Sequence, residues 1–200
     1  MIFIYCLYAF INDLLLIDIF NIQIPKSVTF ILFSIFTLVE YYIFSLTLHK
    51  ILKKQRFKNL ILFAAPIFLI ICVYQFYLDI LKSEIDSISI TIEYIFIIAF
   101  CLIYFFEELN EPNTTFIYSS YKFWVVLGIL IYFTGTFFFF MQTSFFSVEQ
   151  WGRWSPINYI FNVFKNVFFS IALVIRNNTQ LDNSFKNPYD ELFQKRITPL

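Results

Sequence analysis

The chain has 200 residues, of which 60% are hydrophobic, 23% aromatic and only 14% charged. Its mean hydropathy is +0.73, and several windows of about 20 residues are nearly free of charge, which excludes a water-soluble domain and marks a membrane protein. Fourteen Lys and Arg balance fourteen Asp and Glu; the net charge is uninformative, and what matters is where the charges sit. No nucleic-acid partner is expected.

The pattern predicts an all-α, polytopic transmembrane helix bundle of six spans, at about 2–20, 28–48, 59–78, 88–106, 122–141 and 156–176. Residues 1–176 form the bundle and 177–200 a short polar tail. Span 1 is interrupted by Asn12 and Asp13, with Asp18 near its far end, so neighbouring helices must shield it. It has neither a basic leader nor a small-residue cleavage site, and no signal peptide is expected. Span 2 carries Glu40. His49 to Lys58 then packs Lys50, Lys53, Lys54, Arg56 and Lys58 into one loop. Span 3 holds Pro66, a kink that a bundle tolerates.

An acidic loop with Asp79, Glu84 and Asp86 leads to span 4, where Glu93 lies about a turn and a half inside, near enough to the outer surface to be solvated. Glu107 to Tyr121 reads as a polar loop, and Gln142 to Ser155 as a Trp-bearing one. In span 5, Gly128 and Gly135 share a face and mark close helix packing. The run Phe137 to Phe140 is expected to face lipid and neighbouring helices.

Six spans place both termini on one side. With that side cytoplasmic, the inner segments hold Lys50, Lys53, Lys54, Arg56, Lys58, Lys122, Arg176, Lys186, Lys195 and Arg196. The outer segments hold only Lys26, Lys82 and Arg153, so the positive-inside rule predicts an N-in, C-in protein. Trp151 and Trp154 fall at the outer boundary and Trp124 at the inner one. The expected location is the cytoplasmic membrane of a bacterium.

Chemistry concentrates in span 6. Asn158, Asn162, Lys165 and Asn166 fall within roughly 100° of one another on a helical wheel, opposite Ile157, Ile160, Phe164, Val167, Phe168 and Ile171. Such a stripe faces other helices or a wet cavity, because each unpaired polar group in hydrocarbon costs kilocalories. Lys165 lies roughly 14 Å inside the span, near mid-membrane. Glu40 and Asp13 fall at similar depth, so a Lys165–Glu40 or Lys165–Asp13 pair is expected. Two readings stay open: permanent structural glue, or a ligand or signal-coupling site lined by the asparagines. Ion or proton transport is a third.

Cys6, Cys72 and Cys101 match no metal or redox spacing and read as small apolar fillers. A lone His49 makes no zinc site. No catalytic motif appears and no loop is long enough to hide a catalytic domain, so no enzyme, cofactor or metal is expected.

Phe33 to Tyr42, Leu102 to Leu109, Phe123 to Phe137 and Asn158 to Asn166 together resemble an uncharacterised bacterial family of multi-span membrane proteins. Members are often seven-span and are encoded beside sensor histidine kinases or form their membrane part. The likeness covers about residues 28–175. It implies that Glu40, Trp124, Gly128, Gly135, Asn162 and Asn166 occupy recurring positions, that a further N-terminal span belongs to the family pattern, and that a sensor histidine kinase is a partner. It implies no ligand. The expected function is therefore that of a sensory or signal-relaying membrane component, with a small transporter or a structural subunit as alternatives.

Overall fold

The structure, a computed structural model, describes the backbone of residues 2–16, 26–82, 88–110, 117–142 and 156–177, with side chains described within 4–11, 31–78 apart from 33, 88–110, 117–140 and 156–177. The expected outer Trp151 and Trp154 and the tail from 178 onward lie outside the described residues.

The described chain is all helical. Its helices are α1 (Ile2–Leu16), α2 (Lys26–Ile51), α3 (Gln55–Lys82), α4 (Ile88–Asn110), α5 (Tyr121–Gln142) and α6 (Pro156–Asn177). A 3-10 turn, Ile117–Ser119, precedes α5. Four helices, α3 to α6, contain windows long and apolar enough to cross a membrane. Each expected span corresponds to one helix, but several helices run past the expected boundaries. The largest departure is at the basic loop, where α2 continues to Ile51 and α3 begins at Gln55. Ten expected loop residues thus shrink to the three from Leu52 to Lys54. The helix backbone persists beyond the apolar window because charged side chains can stand in water while backbone bonds stay intrahelical. His49 and Lys50 also fall in the last turn of α2, where cations meet the negative end of the helix dipole.

Helix α2 is central. It packs against α1, α3, α4 and α5, while α4 packs on both α3 and α5. Its Phe44 and Leu48 are fully buried, together with Phe68 of α3, Ile97 of α4 and Phe133 of α5. Tyr41 stacks on Phe68 with ring centroids 4.0 Å apart, and Phe44 meets Phe133 edge-on at 5.4 Å. Aromatic rings do the packing that small residues usually do in membranes, consistent with thirty Phe and three Gly. The outward faces of α3 and α4 expose Phe63, Ile70, Leu102 and Phe106, as lipid-facing surfaces do. Two threonine hydroxyls inside the bundle bond back along their own helices, Thr47 to the Ile43 carbonyl and Thr136 to that of Tyr132, so these two add no unsatisfied donor.

Helix α6 docks on α5 through the two glycines. A Cβ at Gly128 would stand 3.0 Å from Phe168 Cβ and 3.4 Å from the Lys165 carbonyl, and one at Gly135 would run into the Phe161 ring. The expected close packing is therefore present at both positions. We expect Gly135→Ala to destabilise the bundle by about 1–3 kcal/mol through overpacking, more than the roughly 1 kcal/mol of helix propensity it gains. Phe161→Ala should rescue that variant and leave Gly128→Ala unrescued, because α6 backbone stands over Gly128. Unfolding in detergent mixtures of increasing SDS fraction measures all four chains.

Candidate functional site

Lys165 is 1% exposed although it sits on α6, the least buried of the four apolar spans. The turn that carries it packs against Gly128, so the backbone approaches closely enough for the long side chain to cross toward α1 and α2. Its ammonium donates to the Tyr5 hydroxyl at 2.7 Å, and that hydroxyl donates to Glu40 Oε1 at 2.5 Å. Tyr5 is fully buried and Glu40 is 3% exposed. Lys165 and Glu40 are thus linked through a phenol, by two charge-assisted hydrogen bonds, where a direct ion pair was expected. It ties α6, α1 and α2 together.

The lysine also stands over two aromatic faces, 3.9 Å from the Tyr132 ring centroid and 4.5 Å from that of Tyr5. Both are cation–π distances, and in a desolvated setting such contacts are worth about 2 kcal/mol. Tyr5 in turn packs on Phe44 with centroids 4.5 Å apart. Beyond Tyr132, the Tyr94 hydroxyl lies 3.3 Å from Thr136 Oγ1, which can accept its proton, and this extends the polar layer into α4. Glu40 lies within electrostatic reach of Tyr94, Tyr132 and Glu93.

Asp13, the other expected partner, has a side chain outside the described residues. The asparagines divide. Asn158 and Asn162 are half-buried, and Asn158 Oδ1 is enclosed without a hydrogen-bond partner. Asn166 is exposed. A stripe wholly turned inward is thus not what forms: the face spans more than α5 and α1 together cover, and its Asn166 edge is left outside. Between α1 and α6 lies a cleft of about 330 Å³ lined by Tyr5, Cys6, Asn162, Lys165, Asn166 and Phe169. Cys6 Sγ donates weakly to Asn166 Oδ1 there, at 3.9 Å.

Glu93 corrects its expectation. It is 1% exposed rather than solvated, and its Oε1 has no hydrogen-bond partner. The reading from depth took α4 to lie near water at that point, whereas Glu93 lies inside the bundle, within electrostatic reach of Tyr41 of α2 and Cys72 of α3. Cys72 and Cys101 are buried, as expected of fillers, and Cys6 is half-buried. Glu107 and Glu108, expected in a loop, are buried on the last turns of α4.

Sequence reasoning missed Tyr5 and Tyr132. Tyr132 was legible: tyrosine gathers at membrane interfaces, so one near mid-span needs a polar partner for its hydroxyl. Tyr5 gave no such signal, because it stands in the first turn of α1, where an interfacial tyrosine is ordinary. Among the described residues no group of His, Cys, Asp and Glu is arranged to hold a metal ion. No protein-family model, no curated protein and no solved structure matches the chain.

Proposed function

We propose that this chain is a signal-relaying component of a bacterial cytoplasmic membrane, a six-span, N-in, C-in protein without enzymatic activity. The observation that supports this reading most directly is the Lys165–Tyr5–Glu40 chain. It joins α1 and α6, the two helices that flank an open cleft, to the central α2 by bonds that are polar, directional and few. A small or lipidic signal, or a partner helix, entering the cleft would compete for those bonds and shift α6 against α5. The polar tail beyond α6 would carry that shift to a cytoplasmic partner, a sensor histidine kinase by the resemblance drawn from the sequence. Rearrangements of this kind move helices by about 1–2 Å or more.

The test is the distance between spin labels at Phe63 on α3 and Val174 on α6, both exposed to lipid, in chains reconstituted into nanodiscs. Relay predicts two populations in the wild type and a shift of about 2 Å or more in Lys165→Met. A single narrow distance, identical in wild type, Lys165→Met and Glu40→Gln, would reduce the chain to fixed structural glue. Transport is the second reading, favoured by two carboxylates buried at different depths, Glu40 and Glu93. Proton uptake into proteoliposomes that disappears in Glu93→Gln would put transport in place of relay.

A further inference from the structure

We infer that two copies of this chain pair side by side through α6, with Asn166 facing Asn166 at the centre of the contact. Tyr159, Val163, Asn166, Ser170, Leu173 and Asn177 recur at alternating intervals of four and three, the 3.5-residue period of a helix–helix seam. All six are exposed, with Tyr159 at 56%, Val163 at 61% and Leu173 at 53%. Only 17% of the α6 span is buried, against 28%, 33% and 44% of the spans in α3, α4 and α5.

Lipid would cover the apolar part of this face adequately, but it cannot cover Asn166. That residue lies about 15 Å past the start of α6, well within hydrocarbon. Its Oδ1 receives only the long bond from Cys6, and no described group accepts from its amide N–H bonds. An unsatisfied amide at that depth costs kilocalories, so an acceptor at the same depth is needed. A second copy supplies it without further design. A carboxamide is both donor and acceptor, and two parallel copies related by a two-fold axis bring identical residues to identical depth. Ser170, one turn on, is small and its hydroxyl is already bonded to the Asn166 carbonyl, which lets the helices approach closely. A single Asn in an otherwise apolar seam also fixes register and pairing number. Asn166, Ser170 and Leu173 also line the α1–α6 cleft, so a second copy would sit against the surface the relay reading uses; subunit counting tests the pairing and the spin-label distance tests the relay, so either can fail alone.

The test counts subunits of the full chain by single-molecule photobleaching in liposomes across a range of protein-to-lipid ratios. Dimers are expected in the wild type, with association weakened roughly tenfold in Asn166→Leu and largely kept in Asn166→Gln. Oxidative cross-linking adds geometry: with Cys6 changed to alanine, Val163→Cys should form a disulfide-linked homodimer and Ile160→Cys, on a different face, should not. Wild-type monomers at every ratio would overturn the proposal, as would dimers indifferent to Asn166→Leu. A Val163→Cys adduct in native membranes joining this chain only to a different protein would assign the seam to that partner and overturn self-pairing.

Discussion

Lys165→Met is expected to lower the unfolding free energy by about 3–5 kcal/mol, because it leaves the buried Glu40 and Tyr5 without their cation. The size comes from the setting more than from the bond. In water the pair would be worth under about 1 kcal/mol, but here both charges have already left water and removing one strands the other. Glu40→Gln should cost nearly as much for the mirror-image reason. The double variant Lys165→Met with Glu40→Gln should recover most of the loss, since two neutral groups of similar shape need no partner charge. The double-mutant cycle is therefore expected to close with a coupling of about 2–3 kcal/mol. Tyr5→Phe should lose less than either charge variant, because the ammonium keeps its places over the Tyr132 ring and over the ring at position 5. Unfolding of the reconstituted chains against SDS fraction gives all four numbers. A Lys165→Met protein within about 1 kcal/mol of wild type would mean that the lysine is not held by this carboxylate.

How much of this was readable beforehand follows from what each residue type demands. Lys165 announced itself, since a charge inside an apolar span has almost no acceptable reading except a buried one, and depth alone narrowed its partners to Glu40 and Asp13. Gly128 and Gly135 were equally plain, because scarcity of glycine in so aromatic a chain makes two on one face informative. The bridge through Tyr5 was hidden by treating partnership as a matter of opposite charge, when a phenol can accept from one ion and donate to the other. Glu93 and Asn166 were misplaced for a common reason. Depth along a span and direction on a helical wheel both place a side chain relative to its own helix, and neither says how many neighbours stand around it. Glu93 is enclosed by the bundle, whereas Asn166 stays exposed at the edge of the α1–α6 cleft.

The same limitation hid Glu107, and its replacement should produce the second large effect. A run of glutamates before a polar stretch reads as solvated loop, yet Glu107 is 1% exposed and its carboxylate spans two backbone amides. Oε2 accepts from the Lys53 N–H at 2.9 Å and Oε1 from the Lys54 N–H at 2.7 Å. The Lys54 carbonyl already receives Phe57 and Lys58 N–H, so the carboxylate sits at the start of α3, where the helix dipole favours negative charge. It thereby fixes the tight α2–α3 turn to the end of α4. Beside it, Lys53 Nζ meets Glu108 Oε2 at 3.0 Å. Glu107→Ala removes two charge-assisted bonds at once, each worth about 1.5–3 kcal/mol, and a loss of roughly 3 kcal/mol or more is expected. Lys53→Ala takes a partly exposed ammonium from Glu108 but leaves both backbone bonds to Glu107 in place, so it should cost less than Glu107→Ala. Glu107→Gln keeps one acceptor but turns an amide N–H toward the second donor, so its cost should fall between those two. SDS unfolding midpoints, together with amide exchange at residues 52–58, read this order: Glu107→Ala worst, Glu107→Gln intermediate, Lys53→Ala mildest. Equal effects from Glu107→Ala and Lys53→Ala would show that the ion pair, not the amide clamp, holds the turn.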